Sequence, residues 1–248
     1  MKFFLAPMQG LTGYTVRNAF HHHFDYIDKY YTPFIPAAKR MNAKIKRDID
    51  PVNNDGITLI PQAISIVADE VIDLHRQLVP YGYDEINVNL GCPSGTVVSK
   101  KRGSGILAYP DMLDSFLDDL YTKADFPVSI KTRVGFNDDE LWPRLIEIYS
   151  KYPISELTVH PRVQKDFYKN TPRMDDFALA MQKINPDKTI LCYNGDITDT
   201  NSFNALTDRF PDINEIMIGR GLFANPALIA ELKGISTVSY THLTLPTI

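Results

Sequence analysis

Residues Glu85–Pro93, which read EINVNLGCP, are the segment that decides the fold. Apolar and β-branched residues alternate with asparagine up to Leu90, as in a buried strand, and Gly91 permits a sharp turn directly after it. Pro93 then stiffens the chain, so Cys92 is expected on a rigid loop rather than inside a helix. The segment predicts a strand whose carboxyl end carries a chemically active loop.

Seven similar runs recur along the chain. With Glu85–Leu90, the predicted strands are Phe3–Met8, Tyr26–Tyr31, Thr58–Ala63, Val128–Arg133, Glu156–His160, Thr189–Tyr193 and Glu215–Ile218. Between them, Ala68–Leu78 and Met112–Leu120 repeat apolar residues at helical spacing. Eight strands alternating with helices predict parallel βαβ units closed into an α/β TIM (β/α)8 barrel. A doubly wound open sheet is the alternative, although it usually needs fewer strands.

The length and composition are those of one globular domain. The chain has 248 residues, of which 44% are hydrophobic and 23% charged, and one α/β barrel can use that length completely. We assign residues 1–235 to the barrel. Ser236–Ile248, which reads STVSYTHLTLPTI, has no helix cap and resembles translated vector sequence more than a native extended tail. We expect this tail to be non-native or disordered.

The composition also bounds the setting of the protein. Two cysteines, Cys92 and Cys192, cannot form a disulfide framework for a chain of this size, which indicates a reducing compartment. The apolar start Phe3–Ala6 is too short for a signal peptide, and no apolar run approaches the roughly 20 residues that span a bilayer. We therefore predict a cytoplasmic protein with no membrane association.

Charge and metal-ligand patterns exclude two further classes. A net charge of −4 excludes a globally basic nucleic-acid-binding protein, though not a local basic patch. No Cys/His pairing has the spacing of a metal site, and His21–His23 are predicted to end the first helix. We predict no metal.

Polar residues and glycines follow the predicted strands. They are Met8, Gln62, Asn89, Lys131, His160, Asn194 and Gly219. In a TIM barrel the carboxyl ends of the strands form the active face, so these side chains should meet. Burying an unpaired lysine is costly, which favours a functional Lys131, with a structural salt bridge as the alternative. His160 is either a site residue or a hydrogen-bonded core histidine.

Two glycine-containing loops predict an anion site. Tyr193–Asp196 follows the seventh predicted strand and Ile218–Gly221 follows the eighth. Barrels commonly bind phosphate with these two loops, because glycines let backbone N–H groups approach an anion and Arg220 adds a charged fork. The pattern indicates a phosphate-bearing cofactor or substrate.

Two clusters of cations are predicted on the same face. Ser94–Leu107 contains three glycines and Lys100–Arg102, and the second cluster comprises Lys39, Arg40, Lys44, Lys46 and Arg47. We interpret Ser94–Leu107 as a mobile substrate loop whose cations meet phosphates, so that the substrate is a polyanion. The alternative is an ordinary solvated surface.

Cys92 has two interpretations. A lone cysteine is commonly a small buried apolar residue. Its position on a loop above the barrel favours a chemical role, and because no His or Asn partner of a cysteine protease is evident, a proton donor is favoured over a nucleophile.

Six motifs together resemble the tRNA-dihydrouridine synthases. They are Ala6–Thr12 (APMQGLT), Asn89–Pro93, Lys131–Arg133, His160–Arg162, Asn194–Asp196 and Gly219–Gly221. The resemblance runs from about residue 3 to residue 233 in the order of the family. It implies a TIM-barrel flavoenzyme that uses NADPH to reduce FMN and converts uridine in tRNA to 5,6-dihydrouridine.

The resemblance also implies a role for each matching residue. FMN would be bound by Pro7, Met8, Gln9, Gln62, Lys131, His160, Asn194, Gly195, Asp196, Gly219 and Arg220. The tRNA substrate would be contacted by Asn89, Lys100, Lys101, Arg102, Arg133 and Arg162. Cys92 would donate a proton to uracil C5 after hydride transfer to C6, since a thiol with a pKa near 8.5 is mostly protonated at neutral pH.

Two departures from the family leave other functions open. Gly13 stands where the family usually has aspartate, and no helical tRNA-gripping domain follows Gly234, as if the chain were truncated. One alternative is another FMN barrel oxidoreductase acting on a small substrate, similar to dihydroorotate dehydrogenase or an ene-reductase. The other is a flavin-binding fragment without turnover. The two cation clusters favour a polyanionic substrate over a small one.

Overall fold

A single parallel sheet forms the centre of the computed structural model, which describes residues 1–24, 26–37 and 40–235. Its strands are β1 (Lys2–Leu5), β2 (Lys29–Tyr31), β3 (Ile35–Pro36), β4 (Leu59–Ile60), β5 (Gln62–Ile64), β6 (Ile86–Leu90), β7 (Val128–Gly135), β8 (Glu156–Val163), β9 (Ile190–Asn194) and β10 (Glu215–Ile218). Every pairing between them is parallel, as a chain of βαβ units requires.

The barrel closes where two interrupted strands, β2–β3 and β4–β5, pair with each other. β2 pairs with β4 through Tyr30 and Leu59, whereas β3 pairs with β5 through Ile35 and Ala63. Pro61 separates β4 from β5 and has no N–H to donate to the ladder. Counting β2–β3 and β4–β5 as one strand each gives eight barrel strands in the described residues. The predicted (β/α)8 barrel is confirmed.

Helices follow the strands around the barrel. They are α1 (Tyr14–His23), α2 (Ala43–Ile49), α3 (Ala68–Leu78), α4 (Gly95–Val98), α5 (Pro110–Lys123), α6 (Trp142–Ser150), α7 (Met174–Lys183), α8 (Thr200–Arg209), α9 (Arg220–Ala224) and α10 (Leu228–Leu232). Short 3-10 helices cover Pro51–Asn53, Val79–Tyr81, Gly103–Ala108 and Gln164–Asp166. The helix predicted over Ala68–Leu78 has those bounds, and Met112–Leu120 lies inside α5. The three histidines end α1, as predicted.

Strand bounds differ from the prediction at the site. β1 ends at Leu5 rather than Met8, while β7 and β8 continue to Gly135 and Val163. Met8 therefore lies in a loop, whereas His160 lies within a strand. Apolar spacing could not reveal this, because polar residues at the mouth of a barrel interrupt the pattern while the backbone ladder continues.

Alternation along the strands divides the core into two layers. In β1, Phe4 packs inside the barrel with Tyr31 and Met217, while Phe3 and Leu5 face the surrounding helices. Successive strand residues point to opposite faces of the sheet, so one short strand serves both layers.

Ser94–Leu107 is not the mobile loop that we predicted. It contains α4 and a 3-10 turn in which Gly103–Leu107 are buried. Gly103 and Gly105 allow close packing of the backbone here, since a Cβ at Gly105 would lie 2.8 Å from the Val98 carbonyl oxygen. The tail 236–248 and Lys39 lie outside the described residues. Among the described helices, none is long and apolar enough to cross a membrane.

Candidate active site

A cavity of about 530 Å³ opens at the carboxyl ends of the strands. Its lining comprises Ala6, Pro7, Met8, Gln9, Leu11, Phe34, Asn89, Gly91, Cys92, Pro93, Ser94, Lys131, Arg133, His160, Phe167, Tyr168, Asn194, Gly195, Asp196, Gly219 and Arg220. The volume is within the range of small-molecule sites, and the walls combine apolar side chains with a few converging polar groups. Residues from most of the barrel loops therefore meet in one cavity, as predicted.

The backbone of Cys92 is held from both sides. Its N–H donates to Asn89 Oδ1 at 2.9 Å, and its carbonyl oxygen accepts from the N–H and hydroxyl of Ser104 at 3.1 and 2.8 Å. Gly103, with φ +56°, allows this approach, because a Cβ there would lie 2.8 Å from the same oxygen. Burial raises the pKa of the Cys92 thiol, so the group keeps its proton at neutral pH.

A chain of buried amides orients Asn89. Asn89 Nδ2 donates to Gln62 Oε1 at 2.8 Å, Gln62 Nε2 donates to Asn87 Oδ1 at 2.8 Å, and Asn87 Nδ2 donates to Ser129 Oγ at 3.0 Å. Gln62 is fully buried and does not line the cavity. It therefore positions Asn89, and its predicted contact with FMN stays a prediction.

Lys131 extends from β7 into the cavity. Its ammonium donates to Asn194 Oδ1 at 2.6 Å, and Asn194 Nδ2 donates to the Met217 carbonyl oxygen at 2.8 Å. Within the described residues Lys131 has no ion pair, so the salt bridge considered above is not formed there. Burial, with the nearby charge of Arg133, lowers the pKa of Lys131 to about 7. An anionic ligand beside it would favour the protonated form.

His160 and Arg162 form a network with Asp196 across β8 and β9. Arg162 lies 3.1 Å from His160 Nε2 and makes a bidentate pair with Asp196. Because arginine only donates, Nε2 accepts and the imidazole proton lies on Nδ1. Burial and the charges of Arg133 and Lys131 hold the pKa of His160 well below its usual range. His160 is therefore a neutral wall of the cavity, while Arg162 is buried away from it.

Arg220 is placed by its neighbours at the glycine loops. It pairs with Asp196 at 2.6 Å and lies 4.8 Å above the ring of Tyr168. Burial opposes the charge of Asp196, but the hydrogen bonds and charges of Arg162 and Arg220 outweigh it, so its pKa is lowered. The half-exposed guanidinium keeps donors for an anion, beside Gly195 and Gly219 on the same wall.

Besides Arg162, three predicted substrate cations are engaged within the protein. Arg133 donates to the carbonyl oxygens of Gly91, Val163 and Phe167 at 3.0, 2.9 and 2.8 Å. Arg102 pairs with Glu70 at 3.1 Å, and the Lys101 ammonium lies 4.4 Å from the centroid of the Tyr109 ring. Lys100, Lys101 and Arg102 do not line the cavity.

Within the two predicted cation clusters, the described members that have neither an ion pair nor a ring contact lie mainly on and near α2. Arg40, Lys44, Lys46 and Arg47 are exposed, as is Lys100, and none makes an ion pair among the described residues. The patch that could meet phosphates is therefore formed chiefly by the second predicted cluster.

Gly13 changes how the loop after β1 is closed. Gly13 offers no capping side chain to α1, and the N–H of Tyr14 instead donates to Asp48 Oδ1 of α2 at 2.7 Å. A Cβ at Gly13 would lie 3.2 Å from that oxygen. Buried Arg17 joins the same carboxylate and the Thr12 carbonyl oxygen. A carboxylate from a neighbouring helix thus does what an N-terminal capping residue usually does.

Aromatic residues of the wall were not identified from sequence. Phe34, Phe167 and Tyr168 line the cavity. Their only signal is the adjacent pair Phe167–Tyr168 shortly after a predicted strand. Clusters of His, Cys, Asp and Glu suited to a metal are absent from the part of the chain that the structure describes.

The fold and the cavity define a (β/α)8 barrel with a thiol, a half-buried lysine and two glycine loops around one cavity. The chain belongs to the dihydrouridine synthase family, whose model matches residues 4–243.

Curated relatives agree with this assignment, and a solved structure shares the fold. A tRNA-dihydrouridine synthase B of Pasteurella multocida is 26% identical over 94% of this chain and 69% of its own length. A probable tRNA-dihydrouridine synthase of Staphylococcus aureus is 33% identical over 60% of this chain. The alignment covers 46% of that relative, so the chain spans about half its length. Morphinone reductase shares the fold with a TM-score of 0.63 at 10% identity, covering 95% of this chain and 86% of its own.

Proposed function

We propose that this chain is the catalytic barrel of a tRNA-dihydrouridine synthase that binds FMN, takes reducing equivalents from NADPH and acts on uridine in tRNA in the cytoplasm. The observation that carries the proposal is the convergence of Cys92, Lys131, His160 and both glycine loops on one cavity. The family and the names of the relatives support the substrate.

The residues present fit FMN. Arg220, Gly195 and Gly219 line one side of the cavity, where a phosphate would be held. A Cβ at Gly219 would lie 3.3 Å from Ala6 Cβ and 3.7 Å from Met8 Sδ, so a larger residue would be tightly packed at this wall. Pro7, Met8, Lys131 and His160 would surround the ring system. When bound, FMN supplies the hydride for the C5=C6 bond of uracil.

The chain's own residues supply a proton and a positive charge. Cys92 keeps its proton because burial raises the pKa of the thiol, and Asn89 and Ser104 fix the loop that presents it. A general acid in a fixed position lowers the barrier for protonating uracil C5. Lys131, with a pKa of about 7, takes up a proton when negative charge develops next to it. His160 is neutral and therefore does not compete as an acid.

The exposed cations that have no ion pair among the described residues support a polyanionic substrate. Arg40, Lys44, Lys46 and Arg47 precede or lie on α2, whose Asp48 contacts the loop after β1 that lines the cavity. Exposed, unpaired cations near a cavity mouth attract a phosphate backbone. A target base held in the cavity must leave its stack, which costs less in an RNA loop than in a duplex.

The test is formation of dihydrouridine by the purified chain. The protein would be incubated with FMN, NADPH and an unmodified tRNA transcript, and the digested RNA would be analysed by mass spectrometry. We expect dihydrouridine with the parent and a strong loss with Cys92→Ala. Reduction of free uracil or another small substrate, without any reaction on tRNA, would replace this proposal with the small-substrate oxidoreductase. Bound FMN without either reaction would identify a fragment lacking turnover.

A further inference from the structure

Phe167 has an unusual backbone conformation at the mouth of the cavity. Its φ is +50° and its ψ −91°, and the N–H of Lys169 donates to the Asp166 carbonyl oxygen at 2.9 Å. These angles are close to those of the first central residue of a type II′ turn, where glycine is usual. A phenylalanine there strains the backbone.

The surrounding structure holds the turn in this form. The Phe167 carbonyl oxygen accepts from Arg133 Nη2 at 2.8 Å. The carboxylate of Asp166 accepts from the Val163 N–H at 3.0 Å and from the side chains of Asn170 and Arg173. The turn is thus fixed on both sides of Phe167, which explains how the strain is sustained but not why the ring is there.

The ring gains little from packing. Phe167 is 46% exposed and does not join the hydrophobic core, yet it lines the cavity. Its neighbour Tyr168 already has cations over its ring, with Arg220 at 4.8 Å and Arg133 at 5.6 Å. Phe167 makes no ring or cation contact with any described residue. One aromatic face at the mouth is therefore open.

We propose that Phe167 is a stacking platform for an unpaired base of the RNA substrate next to the target uridine. The inference rests on the proposed function. Once the target base is in the cavity, the flanking nucleotides lie at its mouth with their faces unstacked. Proteins that bind single-stranded RNA commonly offer an aromatic ring to such a base. Phe167 would then determine RNA affinity without taking part in the reaction.

Four variants separate the ring from the strain. Phe167→Ala and Phe167→Gly both remove the ring, but only glycine relieves the strain, so we expect the glycine variant to melt about 2–4 °C above the alanine variant. Both should retain FMN and raise the KM for an unmodified tRNA transcript by about 5- to 150-fold, the range for loss of one stacked base. Phe167→Leu should behave similarly, and Phe167→Tyr should restore the parental KM. Ile190→Ala, an exposed apolar change at the opposite end of the barrel, is the control.

The outcomes distinguish this inference from the proposed function. A parent that acts on tRNA with an unchanged KM in the alanine and glycine variants overturns the platform and leaves the proposed function intact. A change confined to the KM for NADPH also overturns it, since the ring would then belong to the reductant site. A parent that neither binds nor reduces tRNA overturns both.

Discussion

Replacing Lys131 by methionine should change how the stability of the flavin-free protein depends on pH. Lys131 lies in the cavity wall without an ion pair among the described residues, and burial lowers its pKa to about 7. In the unfolded chain its pKa is about 10.4. Between pH 7 and pH 9 the unfolded state thus binds more protons than the folded state, so folding becomes more favourable as pH rises.

The expected magnitude follows from these two pKa values. One bound proton of difference changes the free energy of unfolding by about 1.4 kcal/mol per pH unit. Integrated from pH 7 to pH 9, a folded pKa of about 7 corresponds to about 2 kcal/mol. Lys131 is partly exposed, and solvent screening reduces this gain to about 1–2 kcal/mol.

Urea unfolding of parent and Lys131→Met at pH 7 and pH 9 measures this gain. The free energy of unfolding of the parent, minus that of the variant, should increase between the two pH values. Groups that titrate in both proteins cancel in the difference. The control is Lys188→Met, an exposed lysine with no ion pair among the described residues, for which the difference should stay constant. A constant difference for Lys131→Met as well would refute the reasoning, because the lysine would then be charged in the folded protein throughout.

Three further predictions concern the supports of the site. Cys92→Ala should slow dihydrouridine formation by about 10²–10⁴-fold and leave FMN content unchanged, and Cys92→Ser should restore little of the rate. Stopped-flow reoxidation of the reduced enzyme by tRNA measures this rate. An unchanged rate would remove the thiol from the mechanism. Gln62→Leu leaves Asn87 Oδ1 and Asn89 Nδ2 without their partner in the interior and should cost about 1–3 kcal/mol for each of these two atoms in urea unfolding. Asp48→Ala removes the only carboxylate that pairs with fully buried Arg17 among the described residues and should cost about 3–5 kcal/mol. Asp73→Ala, which breaks an exposed pair with Arg76, should cost at most about 1 kcal/mol, and equal losses would contradict the argument.

The sequence allowed the barrel and the cavity to be predicted because both depend on regular features. Strand spacing and helical periodicity are local properties, and strand ends meet automatically once the barrel closes. Met8, Asn89, Lys131 and Asn194 therefore line one cavity, as predicted. The ends of β7 and β8 were less accessible, since Gly135, Pro161 and Arg162 interrupt the apolar alternation that marks a strand.

Side-chain partners across the barrel could not be predicted in the same way. Gln62 lies near the end of its predicted strand, as a cofactor ligand would, yet it is buried and hydrogen-bonded to the amides of Asn87 and Asn89. Asp48 is 35 residues from Gly13 in the chain and still lies against it. Such pairings depend on how loops pack over the sheet, and a single sequence contains no signal for them.

The arginines show most clearly where residue type alone misleads. The sequence places Arg133 at the end of a predicted strand, where a free cation is expected. In the structure its guanidinium donates to three backbone carbonyl oxygens. Any residue offers a carbonyl oxygen, so no pattern of acidic residues announces these partners. By tying Gly91 to Phe167, Arg133 joins the Cys92 loop to the turn that presents the aromatic ring. The predicted contact of Arg133 with the substrate stays a prediction, and the same guanidinium also holds together two loops that line the cavity.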